Sequence, residues 1–291
     1  MTRRMTPGLF LAAACVLSLT VSAPAQEFGV YTRVFNLAGS QSDDLSTRKT
    51  SPKVIVRSLT LLRAGKAYDT IHAAGEVTIF EPARRRFTIL NGPRRLVTEV
   101  GFDEISASLV RAERETRNYV KQLKRKTDPN SLAAIGPLEA QLDPGFRSRY
   151  EMTSSRLTLA GRHFHYRVLC TAKPNTPGID QIAFQHALKR YLEYADWTAR
   201  LNYLLHPRAL YPASRLSLNT ALRTHGLMPL EVELQAATSA DFHLRAEHQF
   251  HWMLTGKDRD DIRHWESLLK TGMLQRVSFA DYRRKLIVSG K

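Results

Sequence analysis

The residues of this chain best suited to chemistry are histidines. His163 and His165 form a His-x-His pair. On a strand, alternate side chains share one face, so both imidazoles would reach a single point. Two imidazoles so placed are the start of a metal site. Further ligands would come from the segment His243 to His251. There, strand parity puts His243, Glu247 and His251 on one face. The order Glu247-His248-x-x-His251 reverses the His-Glu-x-x-His pattern of zinc proteases, so that signature is absent. A hydrolase, metal-dependent or otherwise, using His163, His165, His243, Glu247 and His251 is one reading. Histidines carried on the wet faces of half-exposed strands are the other.

A second set of residues is suited to holding anions. Arg84-Arg85-Arg86, Arg94-Arg95, and Lys121 with Lys124-Arg125-Lys126 form three basic clusters. The first two fall at turns of a strand meander and are expected at one edge of it. Together they suggest a docking patch for anionic lipid or polymer. Charges that merely blunt a sheet edge are the alternative. The chain carries 43 Lys plus Arg against 27 Asp plus Glu, a formal charge of +16. Such a balance favours anionic partners.

Other chemistries lack a signature. There is no G-x-S-x-G turn, no phosphate-binding glycine loop and no paired-carboxylate motif. No cofactor is implied. The acids Asp103-Glu104, and Asp258 with Asp260 and Asp261, fall at the starts of helical segments, where a helix favours negative charge. Cys170 shares strand parity with Phe164, Tyr166 and Val168, which reads as a buried structural thiol.

The first 25 residues set the context. Arg3 and Arg4 precede the apolar run Leu9 to Ala23, which ends in Ala23-Pro24-Ala25. This is the pattern of a secretory signal peptide cut before Gln26. The apolar run is short for a bilayer, which needs about 20 residues. Removal of 25 of the 291 residues leaves 266, and loss of Arg3 and Arg4 takes the charge from +16 to +14. The expected product is an exported, soluble, basic protein, periplasmic or extracellular. Export turns its charge toward lipid head groups and other envelope anions and away from nucleic acid. With Cys15 in the leader, Cys170 has no intramolecular disulfide partner.

The elements that would position these residues follow from periodicity. A strand is expected near Val30 to Phe35, then a polar linker from Gly39 to Pro52. Between Val54 and Val100, five β-branched segments are separated by Gly65, Gly75, Pro82 and Asn91-Gly92-Pro93. Gaps this short admit hairpins and exclude helical crossovers. Helices are expected over 102–126, 131–142, 180–205, 216–225, 258–270 and 279–288. Hairpins are expected at 150–171 and 230–253. The sum is an α+β fold: a mostly antiparallel, curved sheet of meander plus hairpins, with helices packed against one face. The organisation is a signal peptide (1–25), an N-terminal strand with polar linker (26–52) and a single α+β domain (53–291).

The run Ser58-Leu59-Thr60-Leu61-Leu62-Arg63-Ala64-Gly65-Lys66-Ala67-Tyr68-Asp69, followed by Glu76-Val77-Thr78-Ile79-Phe80-Glu81-Pro82, resembles secreted bacterial proteins of uncharacterised function. The segment from Gly226-Leu227-Met228-Pro229 through Trp252-Met253-Leu254-Thr255 resembles their C-terminal half. That resemblance implies no activity. The meander flanked by helices is also similar, at the level of fold, to the periplasmic lipoprotein carriers, whose curved sheet cups acyl chains. The expectation is an exported, non-enzymatic binding protein holding an apolar or lipid-like ligand between sheet and helices. An envelope-docking role for the basic face is the other non-enzymatic alternative.

Overall fold

A computed structural model describes residues 27–38, 52–174, 176–206, 209–236 and 242–288. The expected signal peptide and nearly all of the polar linker lie outside the described residues. Among the described residues are twelve strands and six helices in an α+β arrangement. The strands form one open, curled sheet in the order β12-β6-β5-β4-β3-β2-β1-β11-β10-β9-β8-β7. Every pair is antiparallel except β12 (Gln275–Arg276) with β6 (Leu96–Gly101).

The meander forms because its turns leave no alternative. The strands β2 (Lys53–Arg63), β3 (Lys66–Ile71), β4 (Glu76–Glu81), β5 (Arg86–Asn91) and β6 pair in sequence order. Ala64 and Gly65 take left-handed conformations at the first turn. The first strand, β1 (Phe28–Asn36), sits at the centre of the sheet, paired with β2 and with β11 (His243–His251). It therefore belongs to the folded domain rather than to an N-terminal extension. The second wing comprises β10 (Met228–Ala236), β9 (Phe164–Thr171), β8 (Arg156–Ala160) and β7 (Arg147–Glu151).

Period-two alternation sorts the sheet into two faces. On the inner face Leu62, Ala67, Phe80, Phe87, Ile89 and Val100 join Leu157, Tyr166, Val168 and Val232 in one core. That core is built around α3 (Gln181–Leu205), whose Phe184, Leu188, Tyr191 and Leu192 are buried. Phe102 of α1 (Phe102–Leu123) stacks on Trp197 of α3 at 3.7 Å between ring centroids. The helices α4 (Ala213–His225) and α6 (Phe279–Val288) pack into the same core through Leu218, Leu222, Phe279 and Tyr282. The helix α2 (Pro129–Leu142) lies against α1 and α4.

The placement of helices departs from the one-face expectation at α5 (Gly256–Lys270). This helix covers the outer face, where Ile262 and Trp265 pack on Leu61, Tyr68, Val77, Ile79, Leu90 and Val97. The reason is visible in the strands. They carry apolar residues on both parities, as in Leu61-Leu62 and Ile79-Phe80, so both faces need cover.

Candidate functional site

The expected histidine site does not assemble. His163 precedes β9 instead of lying within it, so the His-x-His pair shares no strand face. Its ring packs on Gly136 of α2, where an added Cβ would lie 2.6 Å from the ring. His165 lies in β9, paired with Gln235 of β10, and His243 of β11 is opposite the same Gln235. His165 is half-buried, and the buried His243 imidazole is engaged by the Glu233 carboxylate. Glu247 pairs with Arg33 at 2.7 Å and with Arg245 at 3.3 Å. His251 is exposed at the end of the strand. Among the described residues no group of three or more His, Cys, Asp or Glu is placed to hold a metal ion.

The basic clusters are also redistributed. The Arg84-Arg85-Arg86 turn and the Arg94-Arg95 turn lie at opposite ends of β5, because β5 runs the length of the sheet between them. Arg86 pairs with Glu81 at 2.9 Å and Glu99 at 2.6 Å, Arg84 with Glu81 at 3.4 Å, and Arg85 with Asp103 at 2.9 Å. This also explains Asp103, since Gly101 occupies the N-cap of α1 and no side chain caps it. Arg95 is exposed in its turn, and Arg94 is half-buried. Lys121 and Lys124, with exposed Arg125 and Lys126 beyond them, end α1. Lys121 and Lys124 line a groove of about 810 Å³ with Arg117, Arg147, Arg162 and His163. Lys124 pairs there with Glu139 at 2.7 Å.

The built site lies elsewhere, between the inner face of the sheet and α3. Two cavities adjoin there. The first, about 470 Å³, carries most of the polar groups: Thr32, Ser58, Thr60, Asp69, Glu76, Thr78 and His248 project from the sheet among apolar side chains such as Val56, Ile71 and Leu201. Tyr191, Tyr194, Thr198 and Asn202 face them from α3, one helical stripe at spacings of three and four. The second, about 330 Å³, is mostly apolar, with Val34, Leu210, Pro212, Val232, Leu234, Phe242, Leu244 and Ala246 in its walls. Val34, Ala199, Asn202, Arg215 and Ala246 line both, so the two form one cleft.

Strand register explains the polar end. Thr60, Asp69 and Thr78 stand opposite one another on β2, β3 and β4. The Thr60 hydroxyl donates to Asp69 at 2.7 Å, and Tyr194 also hydrogen bonds to this carboxyl. Burial nevertheless pushes the Asp69 pKa up to about 6. Burial, with the nearby Asp69 charge, also holds the Tyr194 hydroxyl well above its ordinary range, so it remains protonated. Ser58, Thr32 and His248 form the neighbouring row across β2, β1 and β11. Thr32 Oγ1 and His248 Nδ1 are 3.0 Å apart. Burial, with the Arg215 charge, drives the His248 pKa down to about 3, so the ring is neutral. Glu76 accepts from the Tyr282 hydroxyl at 2.5 Å.

Sequence reasoning missed this cluster for a definable reason. It followed the odd parity of β11, whereas His248 is on the even parity, facing inward with Ala246. Tyr191 and Tyr194 look like core residues of α3, and by burial they are; only the register of β1 to β4 shows what meets their hydroxyls. Cys170 is as expected, buried, with burial raising its thiol pKa to about 12. Compared with known protein families and with curated proteins, the chain finds no match.

Proposed function

We propose that this protein is an exported binding protein that holds an apolar or lipid-like ligand in the cleft between the curled sheet and α3. The observation that carries this reading is the joining, across shared walls, of an apolar cavity to a second one edged with hydroxyls, an imidazole and two carboxyls. Both lie in the range of small-molecule sites, about 300–1,000 Å³. The polar end supplies hydroxyls, one neutral imidazole and the hydrogen-bonded carboxyls of Asp69 and Glu76, groups that orient a ligand. The test is fluorescence of N-phenylnaphthylamine, a neutral apolar probe. Enhancement that decanol displaces, and that is absent from the cleft-filling variant Ala246→Trp, is the expected result. No enhancement with the folded wild type, or equal enhancement in Ala246→Trp, would overturn the reading.

A second reading has its own observation. The groove lined by Arg117, Lys121, Lys124, Arg147 and Arg162 presents five permanent cations against the carboxylates of Glu139 and Asp143. It favours docking to an anionic envelope component. Binding to phosphatidylglycerol vesicles that falls steeply with salt, and falls further in Lys121→Glu/Arg162→Glu than in Lys53→Glu/Arg57→Glu, supports it. Equal loss in both pairs counts against it.

A further inference from the structure

We infer that the cleft recognises a ligand bearing a single anionic head, carboxylate or phosphate, and that Arg215 is the residue that receives it. This rests on the reading of the cleft as a ligand site and adds the charge of the ligand.

The position of Arg215 is the first ground. Among the described residues it is the one permanently charged cation in the walls of either cavity, and it lines both. It therefore stands where the polar and apolar ends meet. A head group there would leave an alkyl chain beside Val232, Leu234, Phe242 and Leu244.

Its partners are the second ground. Arg215 is half-buried and hydrogen bonds to the Tyr191 hydroxyl. Among the described residues no carboxylate forms an ion pair with it, whereas Arg223, two turns on along α4, is paired with Asp196. The two acids of the polar cavity are engaged elsewhere, Asp69 by Thr60 and Tyr194, and Glu76 by Tyr282 and Asn91. A half-buried guanidinium not paired to a carboxylate among the described residues has donors to offer an incoming anion. Its planar donor fork fits a carboxylate or phosphate in two-point contact.

Its support is the third ground. Arg215, Asn219 and Arg223 recur at four-residue spacing on α4. Asn219 donates to Asp196 of α3 at 2.8 Å, and Arg223 pairs with the same carboxylate at 2.8 Å. Asp196 thus fixes α4 against α3 and holds Arg215 over the cleft. Neutral His248 and the Tyr191 hydroxyl complete the polar surround of Arg215, and the carboxyls of Asp69 and Glu76 in the same cavity are held by hydrogen bonds to their own partners.

The test compares decanoate, decyl phosphate, decanol and decylammonium by displacement of N-phenylnaphthylamine. Wild type is expected to bind an anion about tenfold or more tighter than decanol, the worth of one charge-assisted contact. Decylammonium should bind more weakly than decanol. The ratio of decanoate to decyl phosphate tells which head fits. In Arg215→Gln, affinity for the preferred anion should fall to that for decanol, with decanol unchanged, while Arg215→Lys keeps part of the preference. Equal binding of decanoate, decyl phosphate and decanol by wild type overturns the inference and leaves the cleft reading standing. If no decyl compound binds, the cleft reading itself falls. The wild-type ratios need no variant, so misfolding of Arg215→Gln does not leave the question open.

Discussion

Asp69 on β3 and His248 on β11 line the same polar cavity, and the structure perturbs them in opposite senses. Burial disfavours the charged form of each, so the Asp69 pKa rises to about 6 and that of His248 falls to about 3. For Asp69, the native state holds a proton between about pH 4 and 6 that the unfolded chain has released. Its contribution to stability is therefore lost as pH rises through that window, by about 3 kcal/mol in all. Asp69→Asn keeps an acceptor for Thr60 and removes this loss. Its stability relative to wild type should match near pH 3 and grow to a gain of about 2–3 kcal/mol above pH 6. Urea unfolding across that range checks it, and a constant difference at all pH values would refute it.

His248 works with the reverse sign. Below about pH 6.5 the unfolded chain takes up a proton that the native ring refuses until about pH 3. Stability is lost as pH falls through that window. His248→Asn retains an amide partner for the Thr32 hydroxyl but does not titrate. It should become progressively more stable than wild type on acidification, by about 1.4 kcal/mol per pH unit at most. Between about pH 4 and 6 the Asp69 and His248 slopes nearly cancel. Each single variant should expose one slope, and the double variant should restore the flat profile. Parallel curves for wild type and both single variants would exclude this account.

How much of this was legible in the sequence depends on distance along the chain. The meander is specified locally by Ala64-Gly65, Gly75 and the Pro82 turn, and the helices are specified by their apolar stripes. Those elements stand close to where the spacing puts them. The pairing of β1 with β11 joins residues more than two hundred positions apart, and no local pattern announces it. The polar cleft is made by that pairing, which brings Thr32 and His248 together. Strand parity correctly grouped His243, Glu247 and His251, but parity does not say which group faces the core. Arg215 gives the least signal of all, because its place where the two cavities meet depends on how α4 packs against α3 and the sheet.

The outer-face helix makes a separate prediction. Trp265 of α5 stacks on Tyr68 at 6.2 Å between ring centroids, and the Tyr68 hydroxyl donates to Glu266 at 2.6 Å. These contacts fasten α5 over the meander. Trp265→Ala should cost about 3–4 kcal/mol, as removal of a buried aromatic does. Tyr68→Phe should cost about 1 kcal/mol, the usual worth of one hydrogen bond. Ligand affinity should change in neither, since the cleft is on the other side of the sheet. A loss of N-phenylnaphthylamine binding in folded Trp265→Ala would show that the two faces are not independent.

Gly136 and His163 form a contact that reverses the ordinary rule for helices. Glycine inside a helix is less favourable than alanine by about 1 kcal/mol, so Gly136→Ala would ordinarily stabilise α2. Here an added Cβ would lie 2.6 Å from both Cε1 and Nε2 of the His163 ring. The ring would have to leave, or α2 would have to shift away from the turn before β9. Gly136→Ala is therefore expected to destabilise the protein by about 1–3 kcal/mol, the range for overpacking. His163→Ala removes the obstacle at the price of the packed ring. In the double variant, alanine at 136 should recover its helical advantage, so that the two effects fail to add by 1 kcal/mol or more. Thermal or urea unfolding of the four proteins measures the coupling. Additive effects, or a Gly136→Ala protein more stable than wild type, would show that the ring moves aside freely and that the groove wall it forms is not fixed.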